Sequence, residues 1–172
     1  MKKFFEVFSE LNVYDKLRKQ VENLITKSFE FSERQKKLII IVQSTKILSH
    51  KMQKEITKQI KSRLLASADF SIHIDVRYVI PADWTLEEAW AKYKDLLIEE
   101  LQRKNFRIKA ILREADIIVR DNKIIINMPQ KIVSDRQYNE CKTYIEDLFG
   151  KKFDRKIVCE LTFNQSYRTN NF

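Results

Sequence analysis

The sequence predicts an α+β fold in two small modules, each running helix–strand–strand–helix–strand around a three-stranded sheet. Three observations predict it. Strand-period alternation occurs twice, at Phe70–Tyr78 and at Ile157–Phe163, each time behind an amphipathic helical pattern. Two capping boxes, Thr85 with Glu88 and Ser134 with Gln137, mark helix starts. A linker candidate at Val79–Asp83, where Pro81 ends the strand pattern, separates residues 1–80 from a second module at 81–166, with 167–172 as a tail.

In order along the chain, Phe4, Phe5, Phe8 and Leu11 have helical spacing and predict a short helix over Lys3–Leu11. Val21–Phe31 is rich in β-formers, and Ile25, Phe29 and Phe31 are expected to share one strand face. After the break at Ser32–Gln35, the β-branched run Leu38–Val42 reads as a strand. Ser49 is the expected N-cap of a helix whose apolar stripe is Met52, Ile56, Ile60 and Leu64. Phe70, Ile72, Ile74, Val76 and Tyr78 then alternate with polar residues, as a sheet wet on one side requires.

In the second module, Leu86, Ala89, Trp90, Tyr93, Leu97 and Leu101 form a helical stripe. Asn105 is expected to interrupt it before a further short helix at Phe106–Arg113. Strands at Asp116–Arg120 and Lys123–Asn127 flank Asp121-Asn122, which suits a two-residue type I′ turn because both residue types tolerate positive φ. Pro129 is expected to stop this hairpin. Tyr138, Cys141, Ile145 and Leu148 mark the last helix, and Gly150 fits the C′ position after it. An offset of 85 aligns the second halves of the two modules without gaps, setting Ile39–Ile41 against Ile124–Ile126 and Ile56 against Cys141. Duplication and mere sharing of a pattern both account for this.

Composition bounds the function. With 172 residues, 44% hydrophobic and 33% charged, the chain is expected to fold rather than stay disordered. A single glycine excludes a phosphate-cradling Gly-rich loop. The two cysteines, Cys141 and Cys159, lack metal-ligand spacing and fall on apolar stripes, so they read as core residues in a reducing compartment. His50 and His73 read as surface histidines. Asp116, Asp121, Glu87, Glu88, Glu99 and Glu100 do not converge as a two-metal site demands. No catalytic residue, metal site, cofactor, membrane span or small-molecule substrate is expected, and the absence of a leader pattern predicts the cytoplasm.

Net charge is +9, and residues 1–80 hold 16 basic against 9 acidic side chains while the rest of the chain holds 17 against 15. That asymmetry points to a polyanion or an acidic protein as partner, or to a plain solvated face. The one constellation is basic: Lys51, Lys54, Lys58 and Lys61 fall on a narrow arc opposite the apolar stripe of their helix. Such lysines give salt-dependent, sequence-blind affinity for phosphates.

The segments FEFSERQKKLIIIVQSTKILSHKMQKEITKQIKSRLL, WTLEEAWAKYKDLLIEEL, DIIVRDNKIIINMP and YIEDLFGKKFDRKIVCELTF carry a resemblance over about residues 5–165. Together they resemble the N-terminal region of the PolC-type DNA polymerase III α subunit. The resemblance implies a first module similar to the polymerase-binding domain of the clamp-loader tau subunit. It implies a second module like a truncated type II KH domain. The implied role is non-catalytic docking to the tau subunit and other replisome proteins during DNA replication, with weak contact to single-stranded or primed DNA. The polymerase and 3'-5' exonuclease motifs of that family are not among these residues, so neither activity is expected of them. The alternative is a stand-alone KH-like nucleic-acid-binding module, which the absence of a GxxG loop disfavours.

Overall fold

The computed structural model describes residues 1–128 and 134–163. The expectations at Pro129 and for the tail at 167–172 lie outside them. The chain divides into two compact units, Met1–Ile80 and Pro81–Phe172.

Unit 1 opens with β1 (Lys2–Lys3), α1 (Phe4–Val7) and α2 (Asp15–Val21). The predicted helix over Lys3–Leu11 is therefore a two-residue strand followed by a single helical turn. Its Phe4 amide donates to the Leu24 carbonyl at 2.8 Å, which pulls the N-terminus onto the sheet edge. Val21, expected to start a strand, is the last residue of α2. Leu17 and Val21 are spaced by four on that helix, and both are buried.

The sheet of unit 1 has four strands rather than three, in the order β1–β2 (Ile25–Ser32)–β3 (Lys37–Ser44)–β4 (Ser71–Tyr78). β2 and β3 are antiparallel; β3 and β4 are parallel and joined through α3 (His50–Leu64). Ile40 and Val42 pair with Ile74 and Val76 on one face, which carries the core together with Ile56 and Ile60 of α3. Ile25, Phe29 and Phe31 do not share a face. The register slips between Thr26 and Ser28, leaving Lys27 as the extra residue of a bulge. Thr26 thereby joins the side of Phe29 and Phe31, while Ile25 turns to the other.

Unit 2 begins with α4 (Leu86–Lys104), held by its Thr85–Glu88 capping box, and continues into α5 (Phe106–Glu114). Asn105 caps the end of α4, and its side chain accepts from the amides of Arg107 and Ile108 at 3.0 and 3.3 Å to start α5. β5 (Asp116–Arg120) and β6 (Lys123–Met128) form the predicted hairpin, with Asp121 and Asn122 both at positive φ, 52° and 60°. After α6 (Asp135–Phe153), β7 (Val158–Phe163) adds parallel to β6. Trp90 and Tyr93 of α4 meet Phe149 and Phe153 of α6 at ring distances of 5.5 and 5.6 Å.

Gly150 is not the residue after the helix. It sits within α6, and the left-handed terminus falls to Asp154 at φ 51°. The Arg155 amide returns to the Gly150 carbonyl at 3.2 Å, and a Cβ at position 150 would meet the Arg155 carbonyl at 3.1 Å. A close backbone approach, not a positive φ, is what the glycine serves. The Arg155 guanidinium then donates to the carbonyls of Trp84 and Pro81, tying the start of the unit to the end of α6.

The gapless offset of 85 fails in the middle strand. Ile40 pairs with Ile74 in unit 1, and Ile124 pairs with Cys159 in unit 2. The core face therefore matches at an offset of 84 in β3 and β6 but at 85 in the following helix and strand. A one-residue shift would turn every side chain of β6 to the wrong face, so the extra residue lies in the connection between β6 and α6.

Candidate functional site

Helix α3 carries the predicted basic residues. It starts where expected: Ser49 Oγ accepts from the Met52 amide at 3.3 Å, and Gln53 Nε2 donates to the Leu48 carbonyl at 2.8 Å. Ile56 and Ile60 are buried, while Met52 and Leu64 are half-buried, so the stripe faces the sheet. On the opposite side, Lys51, Lys54 and Lys58 are exposed. The helix contains one acidic residue, Glu55, which accepts from Gln59 of the next turn.

Lys61 does not belong with the other three. Its ammonium donates to the Ala68 carbonyl and lies 5.3 Å from the centre of the Phe70 ring. It is half-buried and closes the loop between α3 and β4. With Arg63 it also places positive charge in the last turn, where the helix dipole favours it. The predicted row of four is thus a row of three exposed ammonium groups and one internal clasp.

Phe29 and Phe31, expected to share a strand face, do share one. They are 50% and 53% exposed. Phe29 contacts Phe8 at 6.2 Å between ring centres, and Phe31 contacts Phe70 at 5.4 Å, so two aromatic pairs lie along β2. β1 pairs with β2 only at Ile25 and Thr26, so Ser28–Ser32 borders the sheet. Unit 1 thus joins an exposed lysine face to exposed aromatic surface on an edge strand. That combination suits association by charge and apolar contact.

Several charged side chains of unit 2 are engaged structurally. Lys152 of α6 is buried, 3.3 Å from the Glu100 carboxylate of α4. Lys123 of β6 donates to Glu160 of β7 at 2.6 Å; this bond raises the pKa of the lysine and lowers that of the carboxylate. Glu87 accepts from the Asn122 amide, and backbone bonds of this kind, its own amide's first, hold its carboxyl below the usual range. Cys141 and Cys159 are buried and free; burial pushes their thiols up to about 11 and about 12, which keeps both protonated and poorly nucleophilic at neutral pH.

Among the described residues, no group of three or more His, Cys, Asp and Glu is placed to hold a metal ion. His73 is exposed on the polar face of β4, and His50 is the first residue of α3. Among the same residues, no helix is long and apolar enough to cross a membrane. No protein-family model matches the chain, and no curated protein matches it.

Proposed function

We propose that this chain is a non-catalytic interaction region of a PolC-type replicative DNA polymerase, and that unit 1 docks replisome proteins such as the clamp-loader tau subunit in the cytoplasm. The observation that carries this reading is the exposure of Phe29 and Phe31 in the unit that also presents Lys51, Lys54 and Lys58. A face kept only for solubility gains nothing from two half-exposed phenylalanines, whereas a protein partner buries them. The lysines add steering toward an acidic partner and weaken with salt. The order of unit 2, a hairpin followed by a helix and a parallel third strand, is compatible with a truncated KH-like module. Its only glycine lies within α6, which leaves no GxxG clamp for a nucleic-acid backbone.

The test is retention of the chain on immobilised tau subunit at low salt. Lys54→Glu with Lys58→Glu is expected to lower retention and flatten its salt dependence. Phe29→Ser with Phe31→Ser is expected to lower retention at every salt concentration. Retention that neither pair changes removes unit 1 from the docking role.

A further inference from the structure

Helix α5 turns Ile108, Ile111 and Leu112 into the core of unit 2. Its other side carries Phe106, Lys109 and Arg113, all exposed, within about 60° of arc at ~100° per residue. Phe106 is 84% exposed, so its ring stays in water and contributes almost nothing to folding. An aromatic placed beside cations on one helix face is the arrangement absent from α3, where lysines stand without an exposed ring.

Beside Phe106 lies a notch between α5 and α6 of about 210 Å³; Asn105, Phe106 and Arg107 line one side and Gln137, Glu140 and Cys141 the other. It is smaller than the ~300 Å³ at which small-molecule sites begin, so it admits one ring rather than a whole cofactor. Glu140 is the acidic group of the rim, and two guanidinium groups face it: Arg136 at 3.1 Å and Arg107 at 3.6 Å. With Arg136 next to the lining residues Arg107 and Glu140, this end of the notch carries one net positive charge, although 17 basic side chains against 15 acidic leave residues 81–172 nearly balanced.

We propose that the outer face of α5 is a contact for single-stranded nucleic acid, in which a base stacks on Phe106 at the mouth of the notch and Arg107, Lys109 and Arg113 take the flanking phosphates. Every base has a π-face, so such a contact tolerates sequence, and its phosphate component weakens with salt. No GxxG loop is involved. The proposal is independent of protein docking by unit 1.

Fluorescence anisotropy of the full chain with labelled oligothymidylate and oligouridylate at about 50 mM salt tests it. Both are expected to bind, and binding of one alone identifies DNA or RNA as the source. Phe106→Ala is expected to weaken binding about tenfold with little change in salt slope, and Phe106→Trp to restore it. Lys109→Glu is expected to weaken binding and flatten the slope. Because both positions are exposed, the variants should keep the wild-type thermal melt. No anisotropy change with either oligonucleotide overturns the proposal. So does binding that Phe106→Ala leaves intact, whether Lys54→Glu and Lys58→Glu abolish it or not. Loss of tau retention in Phe106→Ala without any oligonucleotide binding would mark the notch as a protein contact instead.

Discussion

Units 1 and 2 set a hairpin, a helix and a parallel third strand in the same order, yet they expose different things. In unit 1 the hairpin is irregular: a four-residue loop, Glu33–Lys36, and a bulge at Lys27. In unit 2 it is regular, closed by Asp121 and Asn122 with unbroken register. The bulge has a cost. It turns Thr26 onto the Phe29 side, where its hydroxyl is buried without a hydrogen-bond partner, a loss of about 1–3 kcal/mol. Beyond the bulge, Phe29 and Phe31 lie along the border of the sheet, half-exposed. Unit 2 keeps its hairpin plain and presents its exposed ring from a helix, at Phe106. The shared frame supplies the cores, and local departures from it supply the surfaces proposed to meet partners.

Core truncations should break the comparison most severely. Ile60→Ala and Ile145→Ala occupy matching places on α3 and α6, and both side chains are buried. Each is expected to cost about 2–5 kcal/mol in urea denaturation. The next effect separates the units, because only unit 2 relies on a buried lysine. Glu100→Ala leaves the Lys152 ammonium short of its carboxylate and is expected to cost about 1–3 kcal/mol. Lys152→Met, which removes the charge and keeps the volume, is expected to cost less. The helix caps sharpen the likeness: Ser49→Ala and Ser134→Ala should each cost about 1 kcal/mol, measured the same way.

One pH effect belongs to unit 2. The buried thiols of Cys141 and Cys159 stay protonated to about 11 and about 12, whereas an exposed cysteine ionises near 9.0. Above that pH the unfolded chain binds fewer protons than the folded one, so stability falls as pH rises. Serine at both positions should remove this component of the alkaline loss. At neutral pH, a thiol reagent should label neither cysteine until unit 2 unfolds.

What could be read from the residues was what depends on neighbours in sequence. The capping boxes at Thr85 and Ser134, the type I′ pair Asp121-Asn122, the break at Asn105 and the alternation of β4 all stand in the structure. Features set by distant partners were hidden. The bulge at Lys27 follows from pairing with β3, and nothing local marks it. Lys61 repeats the spacing of its neighbours, but a loop returning to Ala68 takes it out of their row. Gly150 looked like a helix end because the Arg155 carbonyl that crowds it comes from the turn beyond. Phe106 was missed although its signal is local: it is out of phase with Ile108, Ile111 and Leu112, the mismatch expected of a surface ring.

The central claim is that each unit holds its own core, and native-state hydrogen exchange on the Ile145→Ala chain tests it most directly. The expected result is faster exchange across β6, α6 and β7, with the amides of β3 and β4 as protected as in the wild type. An equal loss of protection in both sheets would contradict the claim, because it would mean that the two units unfold as one.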